Sequence, residues 1–97
     1  NSDTMIKSFR DRATAQFWLG EFVKRFGGIE KQALRKLDML HHTRFLGDLR
    51  APPANRLEAL AGRRRGQHSI HINDQWRICF VWDEGGPSRV EIVDYHD

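Results

Sequence analysis

Residues 70–96 read I-H-I-N-D-Q-W-R-I-C-F-V-W-D-E-G-G-P-S-R-V-E-I-V-D-Y-H, and this stretch decides the fold. Trp76, Ile78, Phe80 and Trp82 share one parity, and Arg77, Cys79 and Val81 share the other. β-branched and aromatic residues at period two predict a strand, and apolar residues on both parities predict a central one. Glu84-Gly85-Gly86-Pro87-Ser88 is turn chemistry, and Val90 to Tyr95 returns as the second arm of a hairpin. A turn centred on Gly85 and Gly86 brings Tyr95 opposite Trp76, with Asp94 and His96 beside Arg77 and Gln75. An arginine, an aspartate, a tyrosine and a histidine then meet at one end of a sheet. Such groups suit proton transfer around a negatively charged phosphate.

Working outward, Gln67 to Asn73 predicts a further strand with Ile70 and Ile72 inward, and Asn73-Asp74 turns into the central strand. Asn55 to Ala61 predicts another, reached through the rigid, extended connector Ala51-Pro52-Pro53-Ala54. Ile29, Ala33, Leu37 and Leu40 mark a helix through about His42, its other face carrying Lys31, Arg35 and Lys36. Asp11 caps an earlier helix expected to run to about Phe26, with Ala13, Phe17 and Phe22 as its apolar stripe. Trp18 and Phe26 broaden that stripe, and Gly27-Gly28 ends it. His41-His42 suits capping at a helix end better than metal binding, because adjacent helical residues point apart. Met5 to Phe9 predicts a first strand or its stub. The class is α+β, an N-terminal strand and a helical hairpin packed on a small antiparallel sheet. Its second face stays open where Arg64, Arg77 and His96 converge.

The chain has 97 residues, which suits one domain spanning residues 5–97, with residues 1–4 ahead of Met5 read as a vector-derived remnant. No apolar run approaches the roughly 20 residues of a membrane span, and no signal peptide is visible, so the expected location is the cytoplasm. Cys79 stands alone and belongs to the core strand, which fits a reducing compartment. The net charge of +3 is unevenly spread: residues 44–77 hold seven arginines against three acids, residues 78–97 one against five. Arg63-Arg64-Arg65 lies between Gly62 and Gly66, on a loop that is either simply solvated or a bidentate grip on phosphate. Arg44, Arg50 and Arg56 nearby favour a nucleic-acid partner.

These residues carry a resemblance. M-I-K-S-F near the start, D-L-R-A-P-P-A-N-R-L-E-A-L-A-G at 48–62, and the N-D-Q-W-R-I element with a terminal D-Y-H resemble the HigB toxins. These plasmid-maintenance killer proteins belong to the RelE/ParE group. The resemblance covers nearly the whole chain from Met5; residues 17–43 match more by pattern than by identity. It implies a small bacterial cytoplasmic toxin that binds the ribosome's decoding site and cuts mRNA there. It also implies a HigA-like helix-turn-helix antitoxin as partner. The family's terminal Asp-Tyr-His falls on Asp94, Tyr95 and His96, its strand arginine on Arg77 and its loop arginine on Arg64. Where some members carry a histidine and a nearby lysine, this chain has Glu58 and Ala61.

Metal-independent RNA cleavage by 2′-hydroxyl attack needs a base, an acid for the leaving 5′-oxygen, and cations around the phosphorane. His96 is the natural proton carrier, Asp94 its orienting partner, and Tyr95 a hydrogen-bond donor, a stacking ring or a core residue. Arg77 and Arg64 clamp the phosphate, and Glu58 serves as base only if burial raises its proton affinity. Arg77 beside Trp76 also fits an ion pair or a cation–π contact. Arg63, Arg65, Lys31, Arg35, Lys36 and Gln75 are expected to contact RNA or the ribosome. His71 joins them through its Ser69/Asn73 parity, which His68 does not share. No cofactor or metal is implied. Two further readings stand beside the endoribonuclease: a non-catalytic inhibitor of gyrase on the same scaffold, and a plain basic RNA-binding module. The antitoxin is expected against Phe9, Trp18 and Phe22, away from the cleft.

Overall fold

The computed structural model describes residues 5–94. Residues 1–4 and 95–97, among them the expected site residues Tyr95 and His96, lie outside the described residues. The sheet is built around the alternating stretch, which forms β3 (Trp76–Asp83). It pairs antiparallel with β2 (His68–His71) on one side and β4 (Gly86–Asp94) on the other, and β1 (Glu58–Ala59) adds to β2. Trp76, Ile78 and Phe80 all lie buried on one face, where Ile70 and Ile92 flank Ile78.

The hairpin register differs from expectation by one residue. Its tip is the two-residue loop Glu84-Gly85, since Asp83 faces Gly86. Between the pairs Cys79↔Glu91 and Val81↔Ser88, Phe80 faces two residues, Arg89 and Val90. That tip alone would set Val93 opposite Trp76; Arg89 adopts a left-handed conformation (φ 51°), and this bulge adds one residue, so Asp94 faces Trp76, one short of the expected Tyr95. Val93 therefore faces Arg77.

The N-terminal residues make a stub of strand against β4. A parallel bridge joins Phe9 to Val90. Lys7 N donates to Pro87 O (2.9 Å), Val90 N to Ser8 O (3.1 Å) and Arg10 N to Val90 O (2.9 Å). Arg89 N, at the bulge, donates to Ser8 Oγ (2.9 Å). The chain then enters α1 (Arg12–Trp18), whose buried Thr14 accepts Ile92 N at Oγ1 (3.0 Å).

Helix α1 is shorter than its apolar stripe suggests. Gly20 takes φ 96°, Glu21 N bonds Gln16 O (3.0 Å) and Gly20 N bonds Phe17 O (3.1 Å), the paired bonds of a Schellman stop. Phe22 consequently leaves the core and is 79% exposed, while Phe26 returns to it from a 3-10 turn, Lys24–Phe26. Asp11 does occupy the N-cap position, but its side chain makes no capping bond.

Helix α2 (Glu30–His42) buries Ala33, Leu37 and Leu40. Thr43 Oγ1 donates to Met39 O (2.6 Å), and His42 Nδ1 lies 2.9 Å from Asp38 O, so His42 does serve the helix end. His41 Nδ1 accepts Ile6 N (3.2 Å) and its ring packs on Trp18.

The proline connector is not extended. Ala51–Pro52 is cis, and Pro53–Asn55 forms a 3-10 turn that leaves only Glu58–Ala59 for the expected strand 55–61. Asn55 is fully buried and its Nδ2 bonds Leu49 O (3.0 Å), holding this segment to the preceding 3-10 turn, Leu46–Arg50.

Candidate functional site

The sheet face away from the buried apolar side chains carries Ser69 and His71 from β2, Arg77 and Cys79 from β3, and Glu91 and Val93 from β4. Ion pairs lie across it. Arg77 Nη1 reaches Glu58 Oε1 (2.7 Å) and Ser69 Oγ (3.5 Å). Arg64 Nη1 reaches Glu91 Oε2 (3.0 Å) and Gln67 Oε1 (3.1 Å), and Arg10 Nε stands 3.5 Å from the same Glu91 oxygen. Beneath them Ser69 and Cys79 are inaccessible. Burial pushes the Cys79 thiol up to about 11, against the pull of Arg64 and Arg77. The two expected phosphate-clamping arginines thus share one face and bracket one cysteine.

Glu58 is on this face, but its side chain is 56% exposed and its carboxylate is engaged by Arg77. The burial on which a base role depended is missing. Trp76 has its cation–π partner elsewhere, in Arg25, whose guanidinium carbon lies 5.9 Å from the ring centroid. Asp94 does not stand beside Arg77 as the expected register required. It is exposed at the Trp76 position and accepts Gln75 Nε2 (3.1 Å).

His71 lies directly opposite Arg77 in the ladder. Its side chain is 14% exposed, Nδ1 is buried without a partner, and Nε2 lies 3.8 Å from Asp74 Oδ1. Burial first, then Arg56, Arg77 and Lys36, hold its pKa below the ordinary histidine range, and Asp74 opposes them. His68 sits on the other face, stacked on Phe80 with ring centroids 6.2 Å apart.

The expected docking residues divide into two groups. Arg63 and Arg65 are exposed on the turn Gly62–Arg64 and its end, flanked by Gly62 (φ 64°) and Gly66 (φ 93°), while Arg64 turns inward. Lys31 and Arg35 are exposed on α2 and line a broad depression with Gly28, Glu30 and Gln32. Lys36 does not share that outer face. Its Nζ bonds Asn55 Oδ1 (2.5 Å), which brings its charge toward Arg56 and His71. Sequence reasoning missed Arg56 as a site residue, because only the fold places it near His71.

A second surface is apolar. Phe22 (79%) and Leu34 (40%) are exposed around a shallow depression that Phe17, Gly20, Glu21 and Glu30 complete, and Leu19, next to Gly20 in the chain, is 75% exposed. Phe9 and Trp18, expected beside Phe22, are half-buried against the core.

Comparison with known proteins adds four findings. Residues 7–96 match the family described as the RelE-like toxin of type II toxin–antitoxin system HigB. Toxin HigB-1 of Vibrio cholerae serotype O1 is 37% identical over 83 residues, covering 84% of this chain and 87% of that protein. An uncharacterized protein of Haemophilus influenzae is 40% identical over 53 residues, 55% of this chain and 52% of its own length. Among solved structures, the YoeB–YefM complex from Staphylococcus aureus gives a TM-score of 0.57 at 19% identity. That match covers 97% of this chain and 98% of the other, and it shows likeness of fold.

Proposed function

The chain belongs to the HigB family of RelE-like toxins of type II toxin–antitoxin systems, and from that premise we propose that it is a ribosome-dependent endoribonuclease cutting translated mRNA. The observation that carries the reading is the sheet face on which Arg64 and Arg77 stand together over Ser69 and Cys79, with His71 beside Arg77. Both guanidiniums have carboxylate partners, Glu91 and Glu58, that an RNA phosphate would replace with stronger bidentate contacts. A charge-crowded phosphorane needs cations at that position.

Cleavage proceeds by attack of the 2′-hydroxyl on the adjacent phosphorus. Arg77 and Arg64 bind the phosphate, and His96, by the family resemblance, supplies the proton for the leaving 5′-oxygen. Asp94 and Tyr95 take supporting parts on the same ground. The ribosome aligns the substrate, a contribution on the order of 7 kcal/mol when geometry is near attack. The exposed cations Lys31, Arg35, Arg63 and Arg65 dock on its RNA. A HigA-like antitoxin is the partner, seated on the Leu19–Phe22–Leu34 surface and not on the arginine face. Among the described residues no helix is long and apolar enough to cross a membrane. The site of action is the cytoplasm, where ribosomes work.

The deciding experiment maps mRNA 5′ ends after incubation with purified ribosomes and with naked RNA. The proposal expects discrete cuts within codons only on ribosomes, lost in Arg77→Ala. Efficient cutting of ribosome-free RNA sinks the ribosome requirement. Intact mRNA together with DNA damage in induced cells points to the gyrase reading instead.

A further inference from the structure

We propose that His71 is the base that accepts the proton of the attacking 2′-hydroxyl, from a corner of the sheet bordered by Lys36, Arg56 and Arg77. The assignment rests on the endoribonuclease reading and supplies the group that reading lacks, since Glu58 is exposed and already engaged by Arg77.

Geometry comes first. His71 and Arg77 face each other across the β2–β3 ladder, a relation that sets Cβ atoms about 5 Å apart. A phosphate held by Arg77 is therefore within reach of the imidazole. Nδ1 is sealed and unpartnered, so the step requires the tautomer in which Nδ1 keeps the ring proton and the Nε2 lone pair meets substrate. Asp74 Oδ1, 3.8 Å from Nε2, is a ready counter-ion for the imidazolium once it forms.

Electrostatics then fits the role. Charged groups face the ring from every neighbouring element: Lys36 on α2, Arg56 at the end of the turn Pro53–Asn55, Arg77 on β3 and Asp74 before β3. Glu58 on β1 is tied to Arg77. Burial first, then the three cations, favour the neutral form of the free imidazole, the form a base must have. A docked phosphodiester neutralises those same cations and so raises the proton affinity of His71 only when substrate is present. In the step itself the O2′–H bond breaks and its proton passes to Nε2. The O2′–P bond forms, the P–O5′ bond breaks, and the 5′-oxygen takes a proton from the acid. The products are a 2′,3′-cyclic phosphate and a 5′-hydroxyl.

The test is single-turnover cleavage of mRNA on purified ribosome complexes across pH 5 to 8.5, with ribosome binding followed by co-sedimentation. At sub-saturating ribosome concentrations, where the rate reads the free protein, wild type should lose rate on the acidic side with a midpoint below about 6.5. His71→Gln should cut about 100-fold more slowly or worse and lose that acidic limb, while sedimenting with ribosomes as wild type does. Arg56→Asn removes one of the cations at a position (φ 47°) that asparagine tolerates, and should move the limb to higher pH. If His71→Gln fails to fold, the Arg56→Asn limb decides alone. A His71→Gln rate equal to wild type, or a limb unmoved in Arg56→Asn, overturns the base assignment and leaves the nuclease intact. Wild type that does not cut on ribosomes overturns both.

Discussion

Replacing Thr14 by valine tests how α1 is fastened to the sheet. The two side chains have nearly the same shape and both are β-branched, so helix propensity and packing change little. What is lost is one oxygen. Thr14 Oγ1 accepts Ile92 N at 3.0 Å, and both residues are buried. Ile92 faces Ile78 across the hairpin, yet its N–H points outward to the helix, so no strand neighbour takes over. A buried donor left without an acceptor costs about 1–3 kcal/mol, slightly offset by the added methyl. For a domain of this size each kcal/mol lowers Tm by roughly 4–8 °C. Thr14→Val should therefore melt about 5–15 °C lower, and urea unfolding followed by tryptophan fluorescence should show the same loss. Hydrogen exchange locates the cause: the Ile92 amide should lose protection in Thr14→Val and keep it in Thr14→Ser. A stability change under about 0.5 kcal/mol with Ile92 still protected would refute the reasoning.

Three further outcomes are expected. Cys79, buried with its thiol pushed up to about 11, should resist iodoacetamide at pH 7.5 in the folded chain and react fully in urea. The pKa of His71 is held below the ordinary range, chiefly by burial, so the folded chain binds fewer protons than the unfolded one. That contribution to stability is complete above about pH 6.5 and shrinks as pH falls below it; denaturant titrations of wild type and His71→Gln at pH 5.5 and 7.5 should differ accordingly. Phe22→Ser should weaken antitoxin binding about tenfold or more by calorimetry while leaving Tm within a degree or two, because Phe22 is 79% exposed.

Much of this architecture is legible in the sequence where one signal is strong and local. The period-two run Trp76 to Trp82 identifies β3, and the spacing of Ile29, Ala33, Leu37 and Leu40 identifies α2. Gly20 ends α1, whereas the apolar residues Phe22 and Phe26 beyond it extend the helical stripe in sequence. The bulge at Arg89 has no local signal. It depends on Ser8, which binds the Arg89 and Val90 amides from 81 or more residues away. The site divides in the same way. Strand parity alone separates His71 from His68, whereas the charges around His71 come from Lys36 and Arg56, which only the cis-proline segment and α2 bring near. Glu58 showed its position in sequence but not its exposure, since its strand shrank to two residues.

The contacts along the two margins of the sheet restrict how a neutralising partner can attach. Ser8, Arg10 and Thr14 already take the outward amides and carbonyl of β4 at Val90 and Ile92. On the opposite margin β1 is only two residues long and is hemmed by the 3-10 turns Pro53–Asn55 and Gly62–Arg64. Among the described residues, neither border presents a long run of open backbone groups of the kind that lets an incoming peptide extend a sheet, which also discourages edge-to-edge aggregation. Antitoxin specificity should then reside in side chains fitted to the helices, where sequence can drift pairwise in toxin and antitoxin without disturbing the sheet that carries the arginines.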